Sequence, residues 1–405
     1  MKIDSILPPS AAVGPTRARA FVAPTRFELF RAGCMAPSLT SLIGAVLVCG
    51  LWIGWCAVHI TPRWVARHAT LLTTSRKDEM PTLGAKAVRL GITPPPGPTL
   101  VLVGNSSLRE ALTSEPDLAR RLSAAAGKPL GVTLLAAGGI GHLDEVALTD
   151  QFLGRLHGAI ALEISQYELS VDPAGVRRTP GEVAHDFPCP SEARRLELQR
   201  MGVRTPWPLH NFFLDSRTFF AARADRIFSY PRDNFEVRQH LFETRPPWSE
   251  KDWRGPVARQ MIGRWEASYL PNRTTNFAIY ARLLRRLRDA GLRPSLLQMV
   301  ENPRNDSPGF SHHPGEGLRQ QYLADLRAFA ASQNVLLVEG LAAEAALSPT
   351  DFSDYVHLRA HNARTRYTQC LAARLAPLFD GRGGATLTPP TFPAAATRRH
   401  RRGHS

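Results

Sequence analysis

The chain has 405 residues, 43% of them hydrophobic, which is enough for one large domain or two small ones and excludes a protein without a sizeable core. Its net charge of +15 is carried almost wholly by arginine and suits an anionic membrane surface or a polyanionic envelope polymer. With no zinc-finger spacing, RNA-binding signature or heptad-linked basic region, nucleic acid is not an expected partner. The five cysteines form no C-x-x-C pair, so neither a disulfide framework nor a metal site is expected, and no cofactor motif is present. Cys189 and Cys370 are compatible with either a bridge or two free thiols.

Residues 1–38 precede an apolar run, Leu39 to Ile60, that contains no Asp, Glu, Lys or Arg. As a helix it would extend roughly 33 Å, against a hydrocarbon core of about 30 Å. Trp52, Trp55 and Trp64 gather towards its C-terminal side, where an interfacial belt is expected, and it lacks the polar face of a soluble helix. The length of the run and the residues ahead of it predict a retained transmembrane helix over 39–60 rather than a cleaved signal peptide. Basic residues flank both ends, with Arg17, Arg19, Arg26 and Arg31 before it and Arg63, Arg67, Arg76 and Lys77 after it, so charge does not set the orientation.

Residues 61–98 read as a membrane-proximal connector closed by the turn-rich T-P-P-P-G-P, and a folded domain is expected over 99–379. The predicted elements are a strand at Thr99–Val103, a helix at Leu108–Ala126, a strand at Val132–Ala136, a helix at Asp144–Leu156 and a strand at Ala159–Ile164. That alternation implies parallel strands joined by right-handed crossovers. It returns as a helix at Asn276–Ala290, a strand at Ser295–Val300, a helix at Gly317–Ser332, a strand at Val335–Glu339 and a closing helix at His361–Leu375. Between the two blocks, about 172–271, proline, arginine and aromatics, including Trp207, Trp248, Trp253 and Trp265, suggest an insertion over one sheet edge. Residues 380–405 read as a disordered basic tail.

Two short patterns carry chemistry. The first predicted strand ends on Gly104-Asn105-Ser106-Ser107, a corner at which Ser107 reads as the cap of the next helix. A serine hydroxyl attacks well only if a base takes its proton and a carboxylate orients that base. Asp354 and His357, three residues apart just before the last helix, offer that pair.

Together, in this order and at these positions, Gly104-Asn105-Ser106 and Asp354-x-x-His357 resemble the SGNH (GDSL-type) hydrolase superfamily, over roughly residues 99–378. The resemblance implies a flavodoxin-like α/β/α sandwich with a parallel sheet, here preceded by one N-terminal transmembrane helix. It implies Ser106 as nucleophile, His357 as general base and then acid, and Asp354 as the orienting partner. The family's second block places an oxyanion-binding glycine after the second strand, at Gly141 or alternatively Gly139. Its third block places an asparagine after the third strand, where this chain has Gln166, with Ser165 as the fallback. Asn105 stands where the family usually has Asp.

Asn105, His142, Glu301, Asn302 and Arg359 are further candidates for lining the pocket, and the His312-His313 pair reads as a loop with a weaker claim to bind a metal or substrate. Single-span proteins with such a domain resemble partners of membrane-bound O-acyltransferases that modify polysaccharides or other acylated polymers. The expectation is therefore a bacterial inner-membrane protein with residues 1–38 in the cytoplasm, its domain on the outer face, and serine esterase or acyltransferase activity. The rival is a non-catalytic protein of the same fold that binds polymer.

Overall fold

The structure, a computed structural model, describes residues 39–72, 80–171, 190–205, 207–217, 219–220, 240–253, 255–306 and 316–380. The expected N-terminal segment 1–38, most of the tail, Cys189 and His312-His313 lie outside the described residues, as does the side chain of Trp265. The chain divides into two compact units, 1–56 and 57–405.

Helix α1, Leu39–His59, contains the apolar run. It is long and apolar enough to cross a membrane, and its leucines, valines and isoleucines are exposed along its length. In the second unit, helices α2 (Pro62–Leu72) and α3 (Met80–Ile92) occupy the stretch read from sequence as a connector. Leu83, Ala87, Val88 and Leu90 of α3 belong to the main hydrophobic core, so the folded body starts before residue 99.

The sheet holds β1 (Thr99–Gly104), β2 (Gly131–Ala136), β3 (Gly158–Ile164), β4 (Arg293–Gln298) and β5 (Leu336–Val338) in the order β2-β1-β3-β4-β5, every pairing parallel. A parallel sheet must bury both faces, and β1 does so by alternation: Val101 and Val103 enter one core while Leu100 and Leu102 enter the other. The first core is closed by α3, α6 (His142–Asp150), α11 (Pro256–Asp289) and α12 (Glu316–Ser332). The second is closed by α4 (Ser106–Ala111), α5 (Glu115–Ala126) and α14 (His361–Leu375). The chain winds from β1 out to β2 and then returns across β1 to β3. Winding that reverses between neighbours opens a crevice beyond their C-terminal ends, and Ser106 follows β1 while Gln166 follows β3.

Three expected elements differ in extent. The helix expected over Leu108–Ala126 is two helices, because Leu112 is extended and the second starts afresh on Ser114, whose side chain accepts the Asp117 N–H, with Pro116 in the first turn. The helix expected from Asn276 begins at Pro256 and runs through Pro271, taking in the end of the expected insertion. The helix expected at Asp144–Leu156 is shorter and shifted, spanning His142–Asp150.

Candidate functional site

Ser106 is the first residue of α4, where the leading N–H groups of a helix lack intrahelical acceptors. His357 stands 251 residues further on, in the loop before α14, with its Nε2 at 2.9 Å from the Ser106 hydroxyl. On the other side of the ring, Nδ1 lies 2.7 Å from Asp354 Oδ2. A carboxylate at Nδ1 fixes the proton there, so Nε2 accepts from Ser106. The second oxygen of Asp354 accepts the backbone N–H groups of Val356 and His357 at 3.0 and 2.9 Å. Burial pushes this carboxyl up, but the His357 hydrogen bond, its charge and the two N–H groups outweigh burial and hold it below the ordinary carboxylate value. The expected nucleophile, base and orienting acid are thus brought together in one hydrogen-bonded line.

Asn302 is part of what holds this loop. Its side chain donates to the Asp354 carbonyl at 2.9 Å, its own N–H donates to Tyr355 O at 2.8 Å, and it is buried, so it supports the triad loop rather than facing a pocket. Glu301 receives the Arg319 guanidinium at 2.6 and 2.9 Å, an ion pair that occupies the carboxylate expected to meet a ligand. Arg359 is half-buried; its backbone N–H donates to Asp351 and its carbonyl accepts from Arg364.

Under the Ser106 corner lies a group of buried acids outside the expected site residues. Glu163, on β3, accepts the Asn105 N–H at 2.7 Å and the Ser107 hydroxyl at 2.9 Å. Ser107 therefore does not cap α4, and the N-cap residue Asn105 makes no side-chain cap either; the Glu163 carboxyl takes that place from the neighbouring strand. The Asn105 amide donates to Glu168 of α7 (Gln166–Ser170), which also accepts the Ser165 N–H in a capping box. Burial raises Glu163 to about 7, and burial plus the charge of Glu163 raises Glu168 well above the usual range. His142 is also interior, tilted against Tyr280 at 6.2 Å between ring centroids, and burial lowers it to about 4. It therefore starts α6 from inside the core instead of lining the mouth of a site. Glu163 did leave a sequence signal, as a single charge within the strand A-I-A-L-E-I.

The expected oxyanion residues are arranged less simply. Gly141 is the N-cap of α6, and its N–H donates to Asp144 at 3.2 Å. Gly139, the alternative, is exposed with φ 80°. Gln166 is buried at the first position of α7, and the fallback Ser165 uses its hydroxyl to accept the Glu168 N–H.

Residues 240–245 lie over the triad. The Phe242 ring stacks on His357 at 3.7 Å between centroids, with only 6° between planes, and Arg245 sits over Phe242 at 4.3 Å. The segment is tied to α4 and its exit: His240 donates to Thr113 O at 3.2 Å, and the Leu241 N–H donates to Glu110 at 3.1 Å. Burial pushes Glu110 up, but His240, Arg109 and the Leu241 N–H together hold it below its ordinary value. Glu243 stands 3.7 Å from Arg364, a guanidinium with 1% side-chain exposure. Tyr355 meets His357 edge-on at 6.5 Å, and Trp248 continues the aromatic wall from Tyr355 to Trp253. Comparison of the sequence with protein-family models and with characterised proteins gives no match.

Proposed function

We propose that this protein is a membrane-anchored serine acyl-ester enzyme of SGNH type, with a flavodoxin-like domain, acting on acylated polymers of the cell envelope as an esterase or O-acyltransferase. The observation that carries the reading is the Ser106–His357–Asp354 line at 2.9 and 2.7 Å. The strand order 2-1-3-4-5 supports it too, since that is the order of flavodoxin-like sheets and the serine follows the strand at the switch point.

In this reading Ser106 Oγ bonds to the acyl carbon while its proton moves to His357 Nε2, and Asp354 stabilises the imidazolium. The ester C–O bond then breaks, the departing alkoxide takes the proton from Nε2, and the acyl group remains on Ser106. Water or a sugar hydroxyl, deprotonated by His357, releases it. The Ser106 N–H and one from the 138–141 corner are the proposed oxyanion donors, with Gln166 in place of the missing asparagine. The apolar α1 supports single-pass membrane anchoring; an inner-membrane location with the domain on the outer face and a membrane-bound O-acyltransferase as partner belong to the proposal.

The second reading, a non-catalytic polymer-binding protein, is favoured by one observation: the Gly141 N–H is already engaged by Asp144. A fluorophosphonate probe separates the two. The enzyme reading expects labelling of the membrane-reconstituted chain that Ser106→Ala abolishes. A wild type that takes no label, or labelling unchanged in Ser106→Ala, sinks it.

A further inference from the structure

Another surface feature is the loop around residues 207–211. Trp207 is 88% exposed and Leu209 is 52% exposed. Large apolar side chains this bare are ordinary when scattered on floppy loops, but this loop is built. Asp215 accepts the Leu209 N–H at 2.7 Å with one oxygen and the Asn211 N–H at 3.1 Å with the other. The Asn211 side chain caps the following turn, accepting from Leu214 N at 3.1 Å. His210, between them, is held at φ 53°, a left-handed conformation that non-glycine residues rarely adopt. The loop is thus fixed by hydrogen bonds at 209–211, with Leu209 and, two residues before it, Trp207 exposed.

The same loop is fastened to the end of the apolar helix. Asn211 Nδ2 donates to the carbonyl of Ala57 at 3.0 Å, two residues before α1 ends at His59. Four residues of chain reach at most about 14 Å, so Trp207 is confined to the neighbourhood of the residues at which a span would leave the hydrocarbon. Behind the loop, Phe212, Phe213, Phe219 and Phe220 pack with Ile60, Trp64 and Val65 of the α2 region in a small separate cluster. Arg63 and Arg67 of α2, just beyond α1 in the chain, are exposed, as are Arg204 and Arg217 on either side of the loop in sequence. An exposed tryptophan and leucine in a loop bonded to the helix exit, with exposed arginines flanking both in sequence, are the residue types that anionic bilayer surfaces favour.

We propose that the 207–211 loop is a second membrane contact, inserting Trp207 and Leu209 among anionic headgroups beside the exit of α1, so that the domain is held against the bilayer. The proposal rests on α1 being a membrane span and is independent of the triad's chemistry.

The full chain is reconstituted in liposomes of phosphatidylcholine and phosphatidylglycerol, with or without lipid brominated near the headgroup end of its acyl chains. The Trp207 signal is the emission lost in Trp207→Phe, a substitution at an exposed position. The expected result is that this increment is quenched by brominated lipid and spared by aqueous iodide, and that Leu209→Glu shifts it to longer wavelength. Quenching by iodide alone overturns the proposal, as does protection from both quenchers, which would mark a protein partner. A wild type that washes off the liposomes in carbonate overturns the span reading itself, and the loop contact with it.

Discussion

At Phe242, a side chain from outside the sheet bears on the proposed triad through His357. A ring stacked at 3.7 Å limits rotation of the imidazole, so that Nε2 stays aimed at Ser106 and Nδ1 at Asp354. Aromatic stacking is worth about 0.5–1.5 kcal/mol. Phe242→Leu keeps apolar cover but loses the stack, and should slow probe acylation of Ser106 roughly two- to tenfold with the melting temperature nearly unchanged. Equal rates in the two proteins would mean that Asp354 alone orients the ring. Asp354→Asn should cost far more, about 10³–10⁴ in rate by analogy with other serine triads, because an amide tolerates the wrong imidazole tautomer. Stopped-flow labelling reads both.

At the scale of elements, the corner between β1 and α4 depends on β3. Gly104 ends β1 so close to its neighbour that a Cβ there would stand 2.5 Å from the Cβ of Glu163 and 2.7 Å from its Oε2. Gly104→Ala must therefore displace the carboxyl that receives Asn105 and Ser107, destabilising the fold by about 1–3 kcal/mol. Both the melting temperature and the labelling of Ser106 should fall; a variant that keeps both would mean the corner does not need Glu163 in place. This dependence also shows what sequence can convey. The first three strands are legible as mostly apolar runs, broken only by Thr133 and Glu163, whereas Ser114-Glu115-Pro116, a local helix-start signal, lies inside the stretch expected as one helix over 108–126. Ser107 reads as the cap because a cap is ordinarily local. A capping carboxyl from another strand, 56 residues away, leaves no local pattern. The stacking of Phe242 on His357 and the Glu110 tether are likewise contacts between distant segments without a periodic signature, whereas Asp354-x-x-His357 was legible because its partners share one turn.

For the whole molecule, the buried acids give stability a two-sided dependence on pH. Glu163 is raised from about 4.5 to about 7 in the fold, so on raising the pH the unfolded chain loses its proton first. Its contribution is fully present below about 4.5 and disappears by about 7, on the order of 3 kcal/mol. Glu145 and Glu168, raised by burial and by neighbouring carboxyl charge, act in the same direction. Asp354 and Glu110 act in reverse, since their carboxyls are held low and their contribution is lost as the pH falls. Glu163→Gln keeps an acceptor for Asn105 and a neutral group at every pH. Its melting temperature should therefore fall less than that of the wild type between about pH 5 and about pH 8. Parallel melting curves across that range would exclude Glu163 as a source of the slope.

Finally, 251 residues separate Ser106 from His357, and the interval contains most of the sheet. A ribosome delivers the serine early and its base near the end, and the base is placed only when the segment before α14 has docked. During synthesis the serine therefore has no imidazole partner. On the proposed enzyme reading, reactivity would arrive only with completion of the fold, and a nascent or truncated chain ending before residue 354 would carry an inert hydroxyl.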